Sequence, residues 1–321
     1  MDTAVHELLV RGVSRATLAT YASGKKRYLS FCEQFGLSPL PVSETILCRF
    51  VAFLSAIPIN YQSIRSYLSA VRHLQITSGL PDPALSPFAR LDYVLKGARR
   101  QGLTAPRPKR MPITAQVLQQ IHQAWAQLPP TFDRVMLWAA FCLGFFGFMR
   151  AGEFTCPSLQ AFTPNMLAVR DIQVDSHSAP SHLSVLLRES KTDQFGAGMT
   201  IHLGATGDKL CPVVAMLGYL AIRPPSPGPL FIFKDGTSLS RQRLVQMLRQ
   251  ALQLAGISDT GFSGHSFRIG AATAAAQAGL NDSLIQTLGR WKSAAFNVYI
   301  RTPWQQIAAV SQSLASQAKG V

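Results

Sequence analysis

The stretch Ser263–Gly279, SGHSFRIGAATAAAQAG, predicts a helix that begins at Gly264 and carries His265 and Arg268 near its start. Helix-forming sequence then continues through most of residues 265–316. Taken alone, His265 is explained as a helix cap. The stretch therefore predicts a helical fold, and the role of its two polar side chains depends on the rest of the chain.

Two motifs upstream place further polar side chains at the ends of predicted elements. FMRAGEF at 148–154 puts Arg150 after an apolar helix, with Glu153 three residues later. RESKTDQ at 188–194 puts Lys191 in a polar turn between two strands. Each basic residue also has a structural explanation, because Arg150 can complement a helix dipole and Lys191 can be a solvated turn residue.

Two motifs downstream add aromatic side chains. LGRW at 288–291 contains Trp291, which lies twenty-three residues after Arg268, and NVYIRTP at 297–303 contains Tyr299. Trp291 alone fits a core residue, and Tyr299 alone fits a surface aromatic. No other tyrosine follows His265 in the sequence.

The pattern around these motifs is mainly α with a small antiparallel sheet, an α+β arrangement. Residues 135–149 are uninterruptedly apolar, but this run is too short to span a bilayer and predicts a buried helix. The predicted elements are helices over residues 114–127, 133–148, 240–255 and from 212, and short strands over 166–174, 182–188 and 199–203.

The first hundred residues predict a small bundle of four amphipathic helices. These begin at Ser14, at Ser43, near Ser63 and at Ser86-Pro87. In the first helix Leu18, Tyr21, Tyr28, Leu29, Cys32 and Phe35 are expected to face inward. Lys25 and Lys26 lie outside this apolar set, and Arg65 and Arg72 line another face of the third helix. These basic side chains either contact a DNA backbone or form ordinary solvated faces.

Residues 102–112, GLTAPRPKRMP, predict a basic, proline-rich linker. We therefore divide the chain into a helical domain at 1–101, this linker, and a larger domain at 113–321. Arg107, Lys109 and Arg110 suit a segment lying against phosphates, although a nuclear-import signal or a solvated strap has the same composition.

The charge balance points to a polyanionic partner. The 321 residues contain 31 Lys+Arg and 16 Asp+Glu, a formal net charge of +15, while 47% of residues are hydrophobic. The chain can therefore bury a core, which excludes general disorder, and its first candidate partner is nucleic acid.

The cysteines and the N-terminus indicate a reducing compartment. The sequence begins without a basic and apolar secretory signal, so the thiols are expected to stay free. The five cysteines are never spaced as C-x-x-C, and we interpret them as structural rather than zinc ligands. No metal or other cofactor and no membrane association is expected.

Together the motifs resemble the tyrosine recombinases, the family of phage integrases. That family shares an arginine with R-x-x-E, a hairpin lysine, an H-x-x-R pair, a His or Trp, and a nucleophilic tyrosine, in the order found here. The resemblance covers residues 114–306, and residues 1–101 look like the family's helical core-binding domain. It implies a catalytic set in this sequence, with Glu153 in support to orient Arg150 or His265: Arg150, Lys191, His265, Arg268, Trp291 and Tyr299.

The resemblance also implies a reaction and partners. Tyr299 would form a 3′-phosphotyrosine with double-stranded DNA, in a homodimer on each site and a homotetramer at synapsis. The motif text is similar to recombinases of DIRS-like and Ngaro-like retroelements, which implies a eukaryotic mobile element and, in that case, a nuclear location. Outside a eukaryotic host the protein would be cytoplasmic with the chromosome. Two alternatives are a domesticated, catalytically silent DNA-binding protein and a type IB topoisomerase-like nicking-closing enzyme. A C-terminal helix over 304–318 would dock on a neighbouring protomer or pack on its own domain.

Overall fold

Polar caps at the helix starts explain where the chain turns. In each case a side-chain oxygen accepts a hydrogen bond from the backbone N–H three residues later, which satisfies a group that the helix leaves unpaired. The caps are Ser14, Ser43, Asn60, Thr114, Thr131, Ser240 and Asn281. The structure, a computed structural model, describes residues 2–83, 88–102, 110–176, 178–190, 193 and 197–301.

The chain divides into two compact units, Met1–Arg107 and Pro108–Val321. The boundary falls inside residues 102–112. Within the first unit the helices are α1 (Asp2–Arg11), α2 (Arg15–Gln34), α3 (Glu44–Ser55), α4 (Tyr61–Thr77) and α5 (Ala89–Gln101).

The bundle in the first unit differs from the sequence prediction in two ways. Helix α1 is absent from that prediction, although Val5, Leu8 and Leu9 have helical spacing; these three side chains remain substantially exposed, so they give no buried stripe. Leu29 of α2 and Phe35, the residue that caps its C-terminal end, are 43% and 53% exposed, so the expectation that they face inward is wrong. The predicted helix starts at Ser14 and Ser43 are confirmed, whereas Ser86 and Pro87 lie outside the described residues.

An aromatic and aliphatic core holds this bundle together. Tyr28, Phe50 and Leu54 are fully buried, and the Tyr28 and Phe50 rings meet edge to face at 5.2 Å. The Tyr28 hydroxyl donates to the Pro39 carbonyl at 2.9 Å, so the buried phenol keeps a partner.

The second unit contains helices, two short 3-10 turns and an antiparallel sheet. Its helices are α6 (Ala115–Ala126), α7 (Phe132–Phe146), α8 (Ala151–Phe154), α9 (Pro212–Ile222), α10 (Arg241–Leu254), α11 (Ser266–Gln277) and α12 (Asp282–Gly289). Its strands are β1 (Ile172–Val174), β2 (His182–Leu187) and β3 (Met199–Gly204). The predicted fold class, mainly α with a small antiparallel sheet, is confirmed.

Strand β2 is central, pairing with β1 and β3. The first strand is much shorter than the predicted 166–174, because residues 169–171 form a 3-10 turn. The reason is Asp171, whose buried carboxylate accepts from the Ala168 N–H at 2.9 Å and from Arg188 Nη2 at 2.7 Å. These bonds fold the chain back where an extended strand would leave the carboxylate unpaired.

Helix α7 is buried on most sides and forms the centre of the second unit. Among the residues described, no helix is long and apolar enough to cross a membrane. Gly144 lets α11 approach, since a Cβ there would lie 3.3 Å from the Phe267 ring. This packing brings the C-terminal end of α7 beside the start of α11, which is where the candidate site lies.

Candidate active site

The start of α11 is held by a tight turn. Ser266 Oγ accepts from the Ser263 N–H at 2.9 Å, and the His265 N–H donates to Ser263 Oγ at 3.3 Å. Gly264 allows close packing on α8, because a Cβ there would stand 2.8 Å from the Ala151 Cβ. His265 is therefore placed close to Arg150, the residue before Ala151.

Arg268 lies in the first turn of α11 and is fully buried. Its Nη1 donates to the Phe148 carbonyl at 2.6 Å, and its Nη2 donates to the Gly289 carbonyl. Its guanidinium carbon lies 4.1 Å from the centroid of the Trp291 ring, a cation–π contact. Burial, followed by the nearby Arg150 and Arg290 charges, lowers the pKa of Arg268 to about 9, so the side chain stays protonated at neutral pH.

Arg150 is fixed by Glu153, in keeping with the R-x-x-E pattern. Arg150 Nη1 donates to Glu153 Oε1 at 2.7 Å, and the Arg150 backbone N–H donates to Oε2 at 2.9 Å. The Arg150 side chain is 17% exposed, so it is held by its partner and still open to solvent. The sequence leaves Arg150 and His265 open as partners of Glu153, and the carboxylate bonds Arg150. It also accepts from Arg290, a residue that the sequence analysis does not single out.

Trp291 and Tyr299 lie against Arg268. The Trp291 and Tyr299 ring centroids are 5.4 Å apart, and the Arg268 guanidinium carbon is 5.9 Å from the Tyr299 ring. Thr273 of α11 anchors the tyrosine segment, because its hydroxyl donates to the Tyr299 carbonyl at 3.3 Å and accepts from the Arg301 N–H at 3.2 Å. Tyr299 itself is only partly buried, so its ring borders the solvent.

His265 is surrounded by positive charge. Its Nδ1 is buried and has no hydrogen-bond partner. Burial, together with the charges of Arg110, Arg241, Arg150 and Arg268, lowers the pKa of His265 to about 4. The imidazole is therefore neutral at pH 7 and able to accept or pass a proton.

Buried polar nitrogens without partners converge on this site. They are His265 Nδ1, Arg268 Nε, Arg290 Nε and Trp291 Nε1. Buried donors in proteins nearly always have partners, so a group of orphans beside several guanidiniums and one carboxylate suits an anionic ligand. No cluster of metal-ligating side chains occurs in the part of the chain that the structure describes.

The structure brings Arg150, Glu153, His265, Arg268, Trp291 and Tyr299 into one site. Lys191, Arg107, Lys109 and the predicted helix over 304–318 lie outside the described residues. The remaining basic positions fall elsewhere: Lys25, Lys26, Arg65 and Arg72 are on α2 and α4, and Arg110 is near His265. Arg72 is ion-paired with Asp82.

Sequence reasoning missed Arg290, although it lies inside the quoted LGRW. It has the left-handed conformation, φ 57°, at the end of α12, and its side chain is 4% exposed. A charged residue between a glycine and a tryptophan at a helix end was the available signal.

Comparison with known proteins gives matches of family and of fold. Residues 199–302 match the model of the phage integrase family, a range that includes His265, Arg268, Trp291 and Tyr299. A protein described as an integrase/recombinase xerD homolog from Selenomonas ruminantium is 25% identical over 289 residues, which covers 86% of this chain and 78% of that protein.

Two solved structures share the fold at low identity. A XerH site-specific recombinase bound to palindromic difH substrate aligns with a TM-score of 0.64 at 14% identity, covering 94% of this chain and 80% of that one. The Tn1549 transposon integrase, residues 82–397, in complex with a circular intermediate DNA aligns with a TM-score of 0.58 at 14% identity, covering 96% and 99%.

Proposed function

We infer that this chain, a tyrosine recombinase by its phage integrase family domain, is a site-specific DNA recombinase that uses Tyr299 as its nucleophile. The observation that carries the assignment is the packing of the Tyr299 and Trp291 rings on the buried Arg268 guanidinium. A hydroxyl-bearing ring, a fixed cation and unpaired buried donors then lie together, as phosphoryl transfer requires.

The reaction is a transesterification. The Tyr299 hydroxyl oxygen attacks the phosphorus of a DNA phosphodiester, the bond to the 5′ oxygen breaks, and a 3′-phosphotyrosine forms while a 5′-hydroxyl end is released. A DNA 5′-hydroxyl later attacks the same phosphorus and returns the phenol. The covalent bond preserves the phosphodiester energy, so no nucleotide cofactor is consumed.

Arg150 and Arg268 stabilise the charge that gathers on the nonbridging oxygens. A guanidinium is a planar fork of N–H donors, and Arg268 contacts the phosphate once a ring or a carbonyl beside it moves. Arg150 is already held in place by Glu153 and open to solvent. By analogy with donors that stabilise other oxyanions, each arginine contributes about 3 kcal/mol to transition-state stabilisation.

Proton transfer falls to Lys191 and His265. We assign Lys191 to protonate the leaving 5′ oxygen, a role that rests on the family resemblance. His265 is neutral because of its surroundings, so it can accept the phenolic proton of Tyr299 as the oxygen attacks.

DNA binding is supported by charge on both units. Helix α10 starts beside the site and exposes Arg241 and Arg249, with glutamines at 242, 246, 250 and 253 and no acidic residue. Arg and Gln pair with phosphates and with base edges. In the first unit, Lys26 and Arg65 are exposed on α2 and α4.

Assembly and origin are part of the same proposal. We propose a dimer on each DNA site and a tetramer at synapsis, in a mobile element whose host is eukaryotic, which places the protein in the nucleus. Support comes from the motif text of the chain and, for the mobile element, from the fold shared with a transposon integrase.

Truncation after Pro303 should preserve binding to one site and weaken cooperative binding to paired sites in gel-shift titrations. Unchanged cooperativity would contradict the docking role of residues 304–318.

The function is tested with DNA that the protein itself selects. A duplex enriched from a random pool by binding is resynthesised with a nick near its centre, so that cleavage releases a short fragment and traps the adduct. The expected result is a detergent-stable protein–DNA band with the protein on the 3′ end. Binding without any adduct would instead support the silent DNA-binding alternative, and sequence-independent plasmid relaxation without strand exchange would support the nicking-closing enzyme.

A further inference from the structure

We propose that Arg290 is a positioning residue that links the Trp291–Tyr299 segment to Arg150 and Arg268. The inference rests on the proposed function, because its effect is exerted on the reaction assigned above. Arg290 acts through two shared acceptors, the Glu153 carboxylate and the Phe148 carbonyl.

The contacts of Arg290 are with the segment that joins α7 to α8. Its Nη1 donates to the Gly147 carbonyl at 2.8 Å, and its Nη2 donates to the Phe148 carbonyl at 3.1 Å and to Glu153 Oε2 at 2.8 Å. Arg290 and Glu153 are 137 positions apart in the sequence, so these bonds join the C-terminal end of α12 to a distant part of the chain. The residue that follows Arg290 is Trp291, so the same anchor sets where the indole begins.

The two acceptors are shared with the proposed catalytic arginines. Glu153 uses Oε1 for Arg150 Nη1 and Oε2 for Arg290 Nη2. The Phe148 carbonyl accepts from Arg268 Nη1 and from Arg290 Nη2. One carboxylate and one carbonyl therefore place three guanidiniums, and a shift of Arg290 disturbs both others.

The backbone conformations of Phe148 and Arg290 support a positioning role for the contact between them. Phe148 has φ 49° and Arg290 has φ 57°, the left-handed region that residues other than glycine seldom occupy. Such conformations persist where surrounding contacts over-determine them. Here the left-handed Phe148 and Arg290 meet through the hydrogen bond from Arg290 Nη2 to the Phe148 carbonyl.

Arg290 is placed to orient and not to bind phosphate. Its charge is paired with the Glu153 carboxylate, its other terminal nitrogen donates to the Gly147 carbonyl, and the side chain is 4% exposed. Arg268 differs because its terminal nitrogens donate only to neutral carbonyls. Arg150, by contrast, is 17% exposed with one terminal nitrogen committed to Glu153. We therefore assign phosphate contact to Arg150, and we assign to Arg290 the alignment of the Arg150 side chain.

Arg290→Gly is the direct test, because glycine suits the left-handed backbone while the guanidinium is lost. On the nicked duplex the cleavage rate should fall by about 10²-fold, as for other small misalignments of catalytic groups, with DNA affinity essentially unchanged. Millimolar guanidinium ion should restore part of the rate in Arg290→Gly. The control is Lys292→Gly, which removes an exposed basic side chain from the same segment and should neither lose rate nor respond to guanidinium.

A coupling measurement distinguishes positioning from a general loss of stability. Glu153→Gln removes the charge that Arg150 and Arg290 share, so it should slow cleavage in the wild type and slow it less once Arg290→Gly is present, because only the bond to Arg150 is then left to lose. Additive losses, or wild-type cleavage by Arg290→Gly, would overturn the inference while wild-type adduct formation upholds the proposed function. Absence of any adduct with the wild-type protein would overturn both.

Discussion

The Arg268 guanidinium carbon lies 4.1 Å from the centroid of the Trp291 ring, and Arg268 has no exposed surface. Trp291 and Tyr299 both lie against this cation, and its Nη groups donate to the Phe148 and Gly289 carbonyls. A phosphate therefore reaches Arg268 only when a ring or a carbonyl moves aside. The position of Trp291 controls access to the buried charge.

Gly289→Ala tests this control. A Cβ at Gly289 would lie 1.4 Å from the Trp291 ring, so the indole has to move. We expect a loss of about 1–3 kcal/mol in unfolding free energy from overpacking, together with loss of DNA cleavage. Denaturant titration and adduct formation measure the two effects.

Gly218→Ala is the matched control, because nothing lies within 4 Å of a Cβ on this helical glycine. It should stabilise the protein by roughly 0.5–1 kcal/mol, the usual gain of alanine over glycine in a helix, and leave cleavage unchanged. Equal behaviour of the two variants would show that Trp291 is free to shift without cost.

His265 makes stability depend on pH in a definite window. Its pKa is about 4 in the folded protein, below the ordinary 6.5, because of burial and the surrounding arginines. The unfolded chain takes up a proton below about pH 6.5 that the folded chain refuses, so stability is full above that pH and falls as the pH drops toward 4. His265→Gln should reduce this fall.

The measurement is the unfolding free energy at pH 7.5 and pH 5 for both proteins. His73 and His122 also have lowered pKa values, and they are present in each protein, so the difference isolates His265. An identical fall in His265→Gln would contradict the surroundings described for this residue.

The parts of the site that sequence predicted are those that depend on local pattern. Capping residues such as Ser14 and Thr114 indicate where helices start. The family resemblance identifies His265 and Arg268 because the H-x-x-R pair lies within four consecutive residues. Arg290 was missed because its part in the site depends on a hydrogen bond to Glu153, which is 137 residues away in the sequence. The predicted length of β1 was wrong for a similar reason, since the buried Asp171 carboxylate bonds Arg188 and the residues before the strand form a 3-10 turn. Polar contacts between residues far apart in the sequence do not change the hydrophobic periodicity from which elements are predicted.

The salt dependence of DNA affinity should show which basic residues of the first unit contact phosphates. Arg65 is exposed, whereas Arg72 is ion-paired with Asp82. If Arg65 contacts a phosphate, Arg65→Ala should flatten the slope of log K against log[salt] by about 0.9. Arg72→Ala should change the slope less, because its charge is already partly compensated. Equal slopes for the wild type and Arg65→Ala would exclude a phosphate contact at that position.

Lys191 can be tested as the general acid through its leaving group. Lys191→Ala should slow cleavage by roughly 10² to 10⁴-fold, the contribution of a positioned acid. Replacing the bridging 5′ oxygen by sulfur gives a thiolate leaving group with a conjugate acid of pKa about 8.5, which needs little help. The sulfur substrate should therefore restore cleavage in Lys191→Ala.

Arg150→Ala is the control for that experiment, because its role is charge stabilisation and sulfur should not restore it. Failure of sulfur to rescue Lys191→Ala, or equal rescue of Arg150→Ala, would make Lys191 a DNA-positioning residue. The acid would then be sought at His265.

Identifying the residue that becomes joined to DNA tests whether Tyr299 is the nucleophile. The trapped adduct is digested with protease and nuclease, and mass spectrometry locates the phosphonucleotide on the peptide. We predict a nucleotide on Tyr299 through its 3′ phosphate, with no adduct in Tyr299→Phe while that variant binds the duplex with wild-type affinity. A nucleotide on any other residue, or an adduct in Tyr299→Phe, would show that Tyr299 is not the nucleophile.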